Sequence, residues 1–291
     1  MKGICSAFVL MVCCLLLSFS GLAEAVKLPI DESPGMPFDR SFTVDGQIYD
    51  DPTIHVTWKR VENRDTVYNC NYYVAYVTIA DASQLRTAAC DGFGSYHIGN
   101  PAYLAKTVNA VLAVNGDFYS YHGDGYTLRQ GRVIREEIVR RMDLLLIDEE
   151  GDFHVIFYDE DQENIDKTHW EGRRVINAFA FGPALIVNDE NVLHREADPA
   201  FRDAPERGYR TALVQTGHLE YMIVTARDVG CTLDEMVSLV GELSDHVEVA
   251  YLLDGGESSQ LMFLGGLINK VSRKYRAISD IVYFASAWRA E

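Results

Sequence analysis

Two acidic, glycine-bearing turns carry the residues most able to do chemistry in this chain. Ala113-Val114-Asn115-Gly116-Asp117-Phe118 and Leu252-Leu253-Asp254-Gly255-Gly256-Glu257-Ser258-Ser259-Gln260 each run from apolar, strand-like sequence directly into carboxylates, amides and glycines. A polar group at the mouth of a buried strand is rigidly held, as a reacting group must be. Glycine beside it lets the backbone turn tightly or lets a ligand approach. The Gly255-Gly256 pair, with Ser258 and Ser259, could form a backbone anion nest. Asn115-Gly116 alone also reads as an ordinary hairpin turn. After it comes Asp117-Phe118-Tyr119 and then Tyr121-His122-Gly123-Asp124-Gly125-Tyr126. Aromatic rings mixed with carboxylates in this way suit a sugar, which stacks on one and hydrogen-bonds to the other. Arg210-Thr211-Ala212 and Arg227-Asp228 lie between the two turns. An arginine there could hold phosphate as a bidentate fork or simply pair with a surface acid.

The elements that must position these groups are mostly strands. Tyr72 to Ile79 is aromatic and β-branched, as are Ala110 to Val114, Arg210 to Gln215, Tyr221 to Thr225 and Val249 to Leu253. Leu144 to Ile147 with Phe153 to Tyr158 reads as a hairpin. A second hairpin-like unit runs from Ala178 through Gly182-Pro183 to Val187. Leu261 to Leu264 and Ile281 to Phe284 read as closing strands. Thr232 and Glu235 form a capping box ahead of a helix over Leu233 to Leu243. A shorter helix follows Asn100-Pro101, and a third is expected in the acidic loop Asp159 to Trp170. Most connections are too short for parallel crossovers. The expected class is α+β, with mixed, largely antiparallel sheets and a few flanking helices in a single catalytic domain.

Composition narrows the partners. The 291 residues carry a net charge of −17, which disfavours nucleic acid and anionic membrane surfaces. Residues 1–25 read as a signal peptide: Lys2, an apolar stretch from Ile4 to Phe19, and the small-residue site Ala23-Glu24-Ala25. An exported chain with no membrane attachment after cleavage is the expectation. Residues 26–65 read as a leader with the first strands, and 66–291 as the catalytic domain. Cleavage leaves Cys70, Cys90 and Cys231, so at most one disulfide and a free thiol. Cys70–Cys90 is the expected bridge, since the two bracket a strand-turn segment. Three buried thiols remain the alternative. The histidines are scattered singly, without a metal-binding spacing.

Taken in order, these blocks resemble the phosphodiester glycosidase family. The resemblance rests on Val114 to Phe118, Phe181-Gly182-Pro183-Ala184-Leu185, Arg210-Thr211-Ala212 and Ala226-Arg227. It continues through Leu253 to Ser259 and Arg276 to Asp280. It implies hydrolysis of a sugar-1-phosphodiester, or a phosphorylated glycan, at the sugar C1–O bond. The catalytic residues it implies are Asp254, Asn115, Asp117 and Glu257. Substrate and phosphate contacts fall to Arg210, then Arg227, with Gly116, Thr211, Gly255, Gly256, Ser258 and Ser259. The family usually has glycine where Glu257 stands and often where Asp117 stands, so this chain adds two carboxylates. No cofactor is required by this chemistry. Two further readings remain: an exported protein that binds phosphorylated glycans without turnover, and a phosphodiesterase with Ca²⁺ on Asp117, Asp124 and Asp254.

Overall fold

The computed structural model describes residues 25–62, 68, 70–193, 207–269 and 276–289. The expected signal peptide lies outside the described residues except for Ala25. Three sheets and two α-helices make up the described chain, and every strand pairing in it is antiparallel. It is therefore richer in β-structure than α+β implies, and no parallel pairing occurs among the described residues.

Alternation along the strands builds the layers. In Asn71–Ile79, Tyr73, Ala75, Val77 and Ile79 face one core while Tyr72, Val74 and Tyr76 face another. This strand is central to a nine-stranded sheet. There it pairs with Ile54–Val61 on one side and with the Gly208–Gly217/Glu220–Cys231 hairpin on the other. Val249–Leu253 and Ala184–Val187 continue the same sheet. Its first face meets a five-stranded sheet centred on Ala110–Asn115 and Asp280–Ala285, and a six-stranded sheet centred on Leu144–Asp148 and Arg173–Ala180. Its second face is covered by the helix Leu233–Leu243, which buries Met236, Val237, Leu239 and Val240. The helix Pro101–Thr107 packs on the five-stranded sheet, its N-terminus capped by Asn100.

Three expectations are corrected. Ala178–Ala180 and Ala184–Val187 do not form a hairpin: after Gly182-Pro183 the chain passes from the six-stranded to the nine-stranded sheet. The loop from Asp159 to Thr168 consists of turns, without a helix. Cys70 and Cys90 are not bridged. Cys70 lies in the core under the helix Leu233–Leu243, and Cys90 packs against the core of the five-stranded sheet. Burial comes first in raising both thiols. Among the described residues no helix is long and apolar enough to cross a membrane.

The capping box predicted around Thr232 is formed: its hydroxyl accepts from the Glu235 N–H at 3.1 Å, and Glu235 returns a contact to the Thr232 N–H at 2.9 Å. Thr232→Ala should cost about 1 kcal/mol in urea unfolding. An unchanged midpoint would show that packing on the sheet alone fixes the helix end.

Candidate active site

The Asp254 carboxylate is set by the strand Val249–Leu253, which is buried throughout and paired on both edges. The chain then turns through the short 3₁₀ segment Gly256–Ser258. Gly255 has no room for a side chain, because a Cβ there would lie 2.5 Å from the Tyr209 carbonyl oxygen. Burial raises the Asp254 pKa. The Ser258 hydroxyl, Arg276 and the Gly255 N–H draw it back, and the nearby Asp117 charge adds to the rise. A half-buried carboxylate with this balance is a stronger base than a surface aspartate. Arg276 is exposed beside it, with its guanidinium 5.4 Å from the Phe118 ring centre. Phe118 has φ +60° and stacks on the exposed Tyr121 at 4.9 Å, giving the mouth an aromatic wall.

Asn115 sits at the junction of two sheets, and its amide is fully engaged there. Its Nδ2 donates to the carbonyls of Asp254, at 2.6 Å, and Gly116; its Oδ1 accepts from the Thr211 hydroxyl and the Gln260 N–H. The Thr211 hydroxyl shares its proton between Asn115 and the Ser259 hydroxyl 2.9 Å away, which donates to the Arg210 carbonyl. These side chains lock the turn together. The Ser258 and Ser259 N–H groups fold back on the carbonyls of Gly255 and Gly256, so they do not line an open nest. Glu257 is exposed at the rim.

Asp117 points inward. Its carboxylate accepts from Arg129 Nη2 at 2.5 Å and from the Ala180 N–H at 3.0 Å. Asp280 meets the same guanidinium at 3.0 and 3.1 Å, and neither the arginine nor the two acids reach solvent. Burial alone would lower Arg129, but Asp117 and Asp280 outweigh it and hold the arginine charged. Burial pushes Asp280 up to about 6; Arg129 opposes this and Asp117 reinforces it. Gly116 admits the Asp280 carboxylate, which would lie 2.3 Å from a Cβ at that position. Arg129 and Asp280 were not picked out as site residues from sequence. An isolated arginine in Thr127-Leu128-Arg129 gives no signal that two acids enclose it.

The two arginines chosen as phosphate grips are not brought together. Arg210 pairs in register with Ala226, so Arg227 belongs to the opposite face. Arg210 follows Ala212 and Val214 toward the helix-covered face, where it lies near the Cys231 thiol. Arg227 follows Ile223 to the other face and lies over the Tyr209 ring at 4.4 Å. There its Nη1 donates to the carbonyls of Gly256 and Ser259, and its buried Nε makes no hydrogen bond among the described residues. Burial lowers both arginines, with Glu257 opposing this at Arg227. The carboxylates expected for Ca²⁺ do not converge: Asp117 is committed to Arg129, and Asp124 pairs with Arg140 at 3.3 Å. Among the described residues no three His, Cys, Asp or Glu side chains are grouped to hold a metal.

The ordered turns, the inward Asp–Arg–Asp cluster and the strand-end carboxylate meet where the sheets join. The model of the phosphodiester glycosidase family matches residues 108–285, more than half of the chain, and the chain belongs to that family. Among solved structures it is similar to the zebrafish N-acetylglucosamine-1-phosphodiester alpha-N-acetylglucosaminidase catalytic domain, auto-inhibited by its pro-peptide. That match has a TM-score of 0.63 at 16% identity and covers 81% of this chain and 85% of that one. It is also similar to a hypothetical protein from Synechocystis, with a TM-score of 0.51 at 14% identity, covering 79% of this chain and 62% of that one. Likeness at these identities establishes the fold alone. No curated protein sequence matches the chain.

Arg129→Met would leave two buried carboxylates without their cation and should cost about 3–5 kcal/mol at neutral pH. Urea unfolding measures this, and the loss should shrink as pH falls and the acids protonate. In the wild-type chain the Asp280 pKa rises from 3.8 unfolded to about 6 folded. The native state therefore binds the extra proton between these values, and this group's contribution to stability falls as pH rises through them. Asp280→Asn should flatten that slope; an unchanged slope would place the titration elsewhere.

Proposed function

We propose that this chain hydrolyses a sugar-1-phosphodiester by breaking the sugar C1–O bond, releasing free sugar and a phosphomonoester. The observation that carries this reading is the Asp254 carboxylate. It stands at a strand end beside Arg276 and the Phe118–Tyr121 wall, within a chain of the phosphodiester glycosidase family. The bond to C1 breaks with its electron pair going to the phosphate oxygen, which is already a good leaving group. Positive charge develops on the sugar, and water adds at C1. Asp254 faces that charge and accepts the proton of the attacking water.

Arg276 is the solvent-accessible cation beside Asp254, and we assign it the phosphate. Arg227, buried against the carbonyls of Gly256 and Ser259, shapes the turn under the phosphate. Arg210 supports the same strand end from the helix side. Asn115, Thr211, Ser258 and Ser259 position Asp254, with Gly116 and Gly255 admitting the close packing this needs. Asp117 acts through Arg129 and through its charge on Asp254. Glu257 at the rim bears on which sugar or aglycone is accepted. The signal peptide read at residues 1–25 supports an exported enzyme.

The test is hydrolysis of a synthetic N-acetylglucosamine-1-phosphodiester and related sugar-1-phosphodiesters in ¹⁸O water, with the products read by mass spectrometry. Label in the sugar is expected. Label in the phosphate would make the chain a phosphodiesterase, and saturable binding without turnover would make it a binding protein. Asp254→Asn should lower kcat by about 10²–10⁴-fold with the melting temperature retained. Arg276→Ala should lower kcat/KM by roughly ten- to a hundredfold, the loss of a charge-assisted contact.

A further inference from the structure

The strand Val249–Leu253 has a polar group at each end. Asp254 follows it, and Glu248 precedes it roughly 20 Å away. Glu248 borders a cavity of about 460 Å³ that Asp254 does not line. The cavity gathers residues from strands and the loops between them: Asp152 and His154, Trp170, Asn188, His218 and Glu248. A second cavity, about 450 Å³, lies beside Cys90 and Tyr103.

The Glu248 groove combines polar side chains committed to one another with others open to a ligand. His154 Nε2 donates to the Asp148 carboxylate at 2.9 Å, and the ring stacks face to face on Trp170, ring centres 4.9 Å apart and planes 11° apart. This fixes the indole as a platform. Asp152 is locked by Arg173, Gln215 and His218. Arg173 in turn is neutralised by Asp148, Glu150 and Asp152. Glu248, by contrast, is only partly exposed and makes no side-chain hydrogen bond among the described residues. Asn188 gives its backbone N–H to the Glu248 carbonyl at 2.7 Å, while its side-chain amide likewise makes no hydrogen bond among them. An aromatic ring, with a carboxylate and an amide that make no side-chain hydrogen bond among the described residues, supplies the kinds of group a pyranose ring calls for. Its apolar face needs stacking, and its adjacent hydroxyls need an acceptor and a mixed donor–acceptor. With Asp152, Glu171 and Glu248 lining it and no unpaired arginine, the groove repels anions.

We propose that this groove is a second saccharide site that binds an uncharged pyranose of a larger glycan, remote from the reacting phosphodiester. It goes beyond the hydrolytic reading and does not depend on it, because binding is measured without turnover.

The test titrates the full mature chain with glucose, galactose, mannose and N-acetylglucosamine, followed by saturation-transfer NMR and calorimetry. At least one should bind with a Kd of about 1 mM, the scale of a single shallow contact. Trp170→Ala and Glu248→Ala should each weaken it at least about tenfold. Hydrolysis of a small sugar-1-phosphodiester, where it occurs, should stay within about twofold in these variants. Trp170→Phe keeps a platform and should retain most of the affinity, which separates stacking from misfolding. Asp254→Asn should leave this binding intact. The proposal falls if no sugar of the panel binds, or if binding is lost in Asp254→Asn and kept in Trp170→Ala. It also falls if glucose-1-phosphate competes at the Trp170 groove more tightly than glucose.

Discussion

A guanidinium with no access to solvent needs every one of its demands met inside the protein, and the architecture around Arg129 is organised to do so. Its strand Thr127–Arg129 belongs to the six-stranded sheet, whereas Asp117 and Asp280 flank strands of the five-stranded sheet. The ion cluster therefore ties two sheets at one point. Phe179 lies 4.1 Å from the guanidinium and Tyr119 5.4 Å from it, so the charge is enclosed by aromatic faces as well as acids. The carbonyls of Leu128 and Ala178 take further N–H groups. One cation against two buried carboxylates leaves an excess of negative charge. Asp280 relieves it by its raised affinity for a proton. Such clusters add little net stability, since desolvation offsets attraction. What this one supplies is alignment, because no slipped register of either sheet returns all three groups to one place.

That alignment passes to Asp254 through short polar links. Gly116 is held against Asp280, and its carbonyl accepts the Asp254 N–H at 3.2 Å. Asn115 next to it holds the Asp254 carbonyl and the Gln260 N–H. Asn269 adds a second brace, donating to the Ser259 carbonyl and to the Thr225 hydroxyl while accepting the Leu261 N–H. Most polar residues of the two turns thus grip backbone. A turn that presents a carboxylate at a sheet junction has many main-chain groups that pair with no strand, and buried amides and hydroxyls are what satisfy them.

Local features were legible in the sequence. The box Thr232/Glu235, the strands Arg210 to Gln215 and Tyr221 to Thr225, and the strand ending at Leu253 depend on neighbours within a few residues. The opposite-face placement of Arg210 and Arg227 was not legible: Gly217 pairs with Glu220 but Gln215 pairs with Tyr221, so a bulge shifts the register by one residue before Arg210 is reached. Nor were the sheet partners. Cys70 and Cys90 stand at the ends of successive strands, yet those strands, Asn71–Ile79 and Leu85–Ala89, enter different sheets, and a bridge between them has no geometric basis. Asp117 resembled an added catalytic acid because its partners, Arg129 and Asp280, come from strands whose pairing is decided by long-range packing. Its inward direction follows from the fold and not from its neighbours.

The strand Val249–Leu253 bears on how its two ends can communicate. It is buried along its whole length and bonded to Thr211–Gln215 on one edge and Ala184–Val187 on the other. A slip of one residue would exchange Tyr251 and Leu253 with Ala250 and Leu252 between two filled cores. The strand is thus a fixed spacer, and a sugar held near Glu248 has no register change through which to alter Asp254. Its effect would come through proximity. A glycan tethered at one end of a rigid span raises the local concentration of its own phosphodiester at the other only when the chain between them is long enough to reach. The proposed groove would therefore favour extended glycans over short ones by geometry alone.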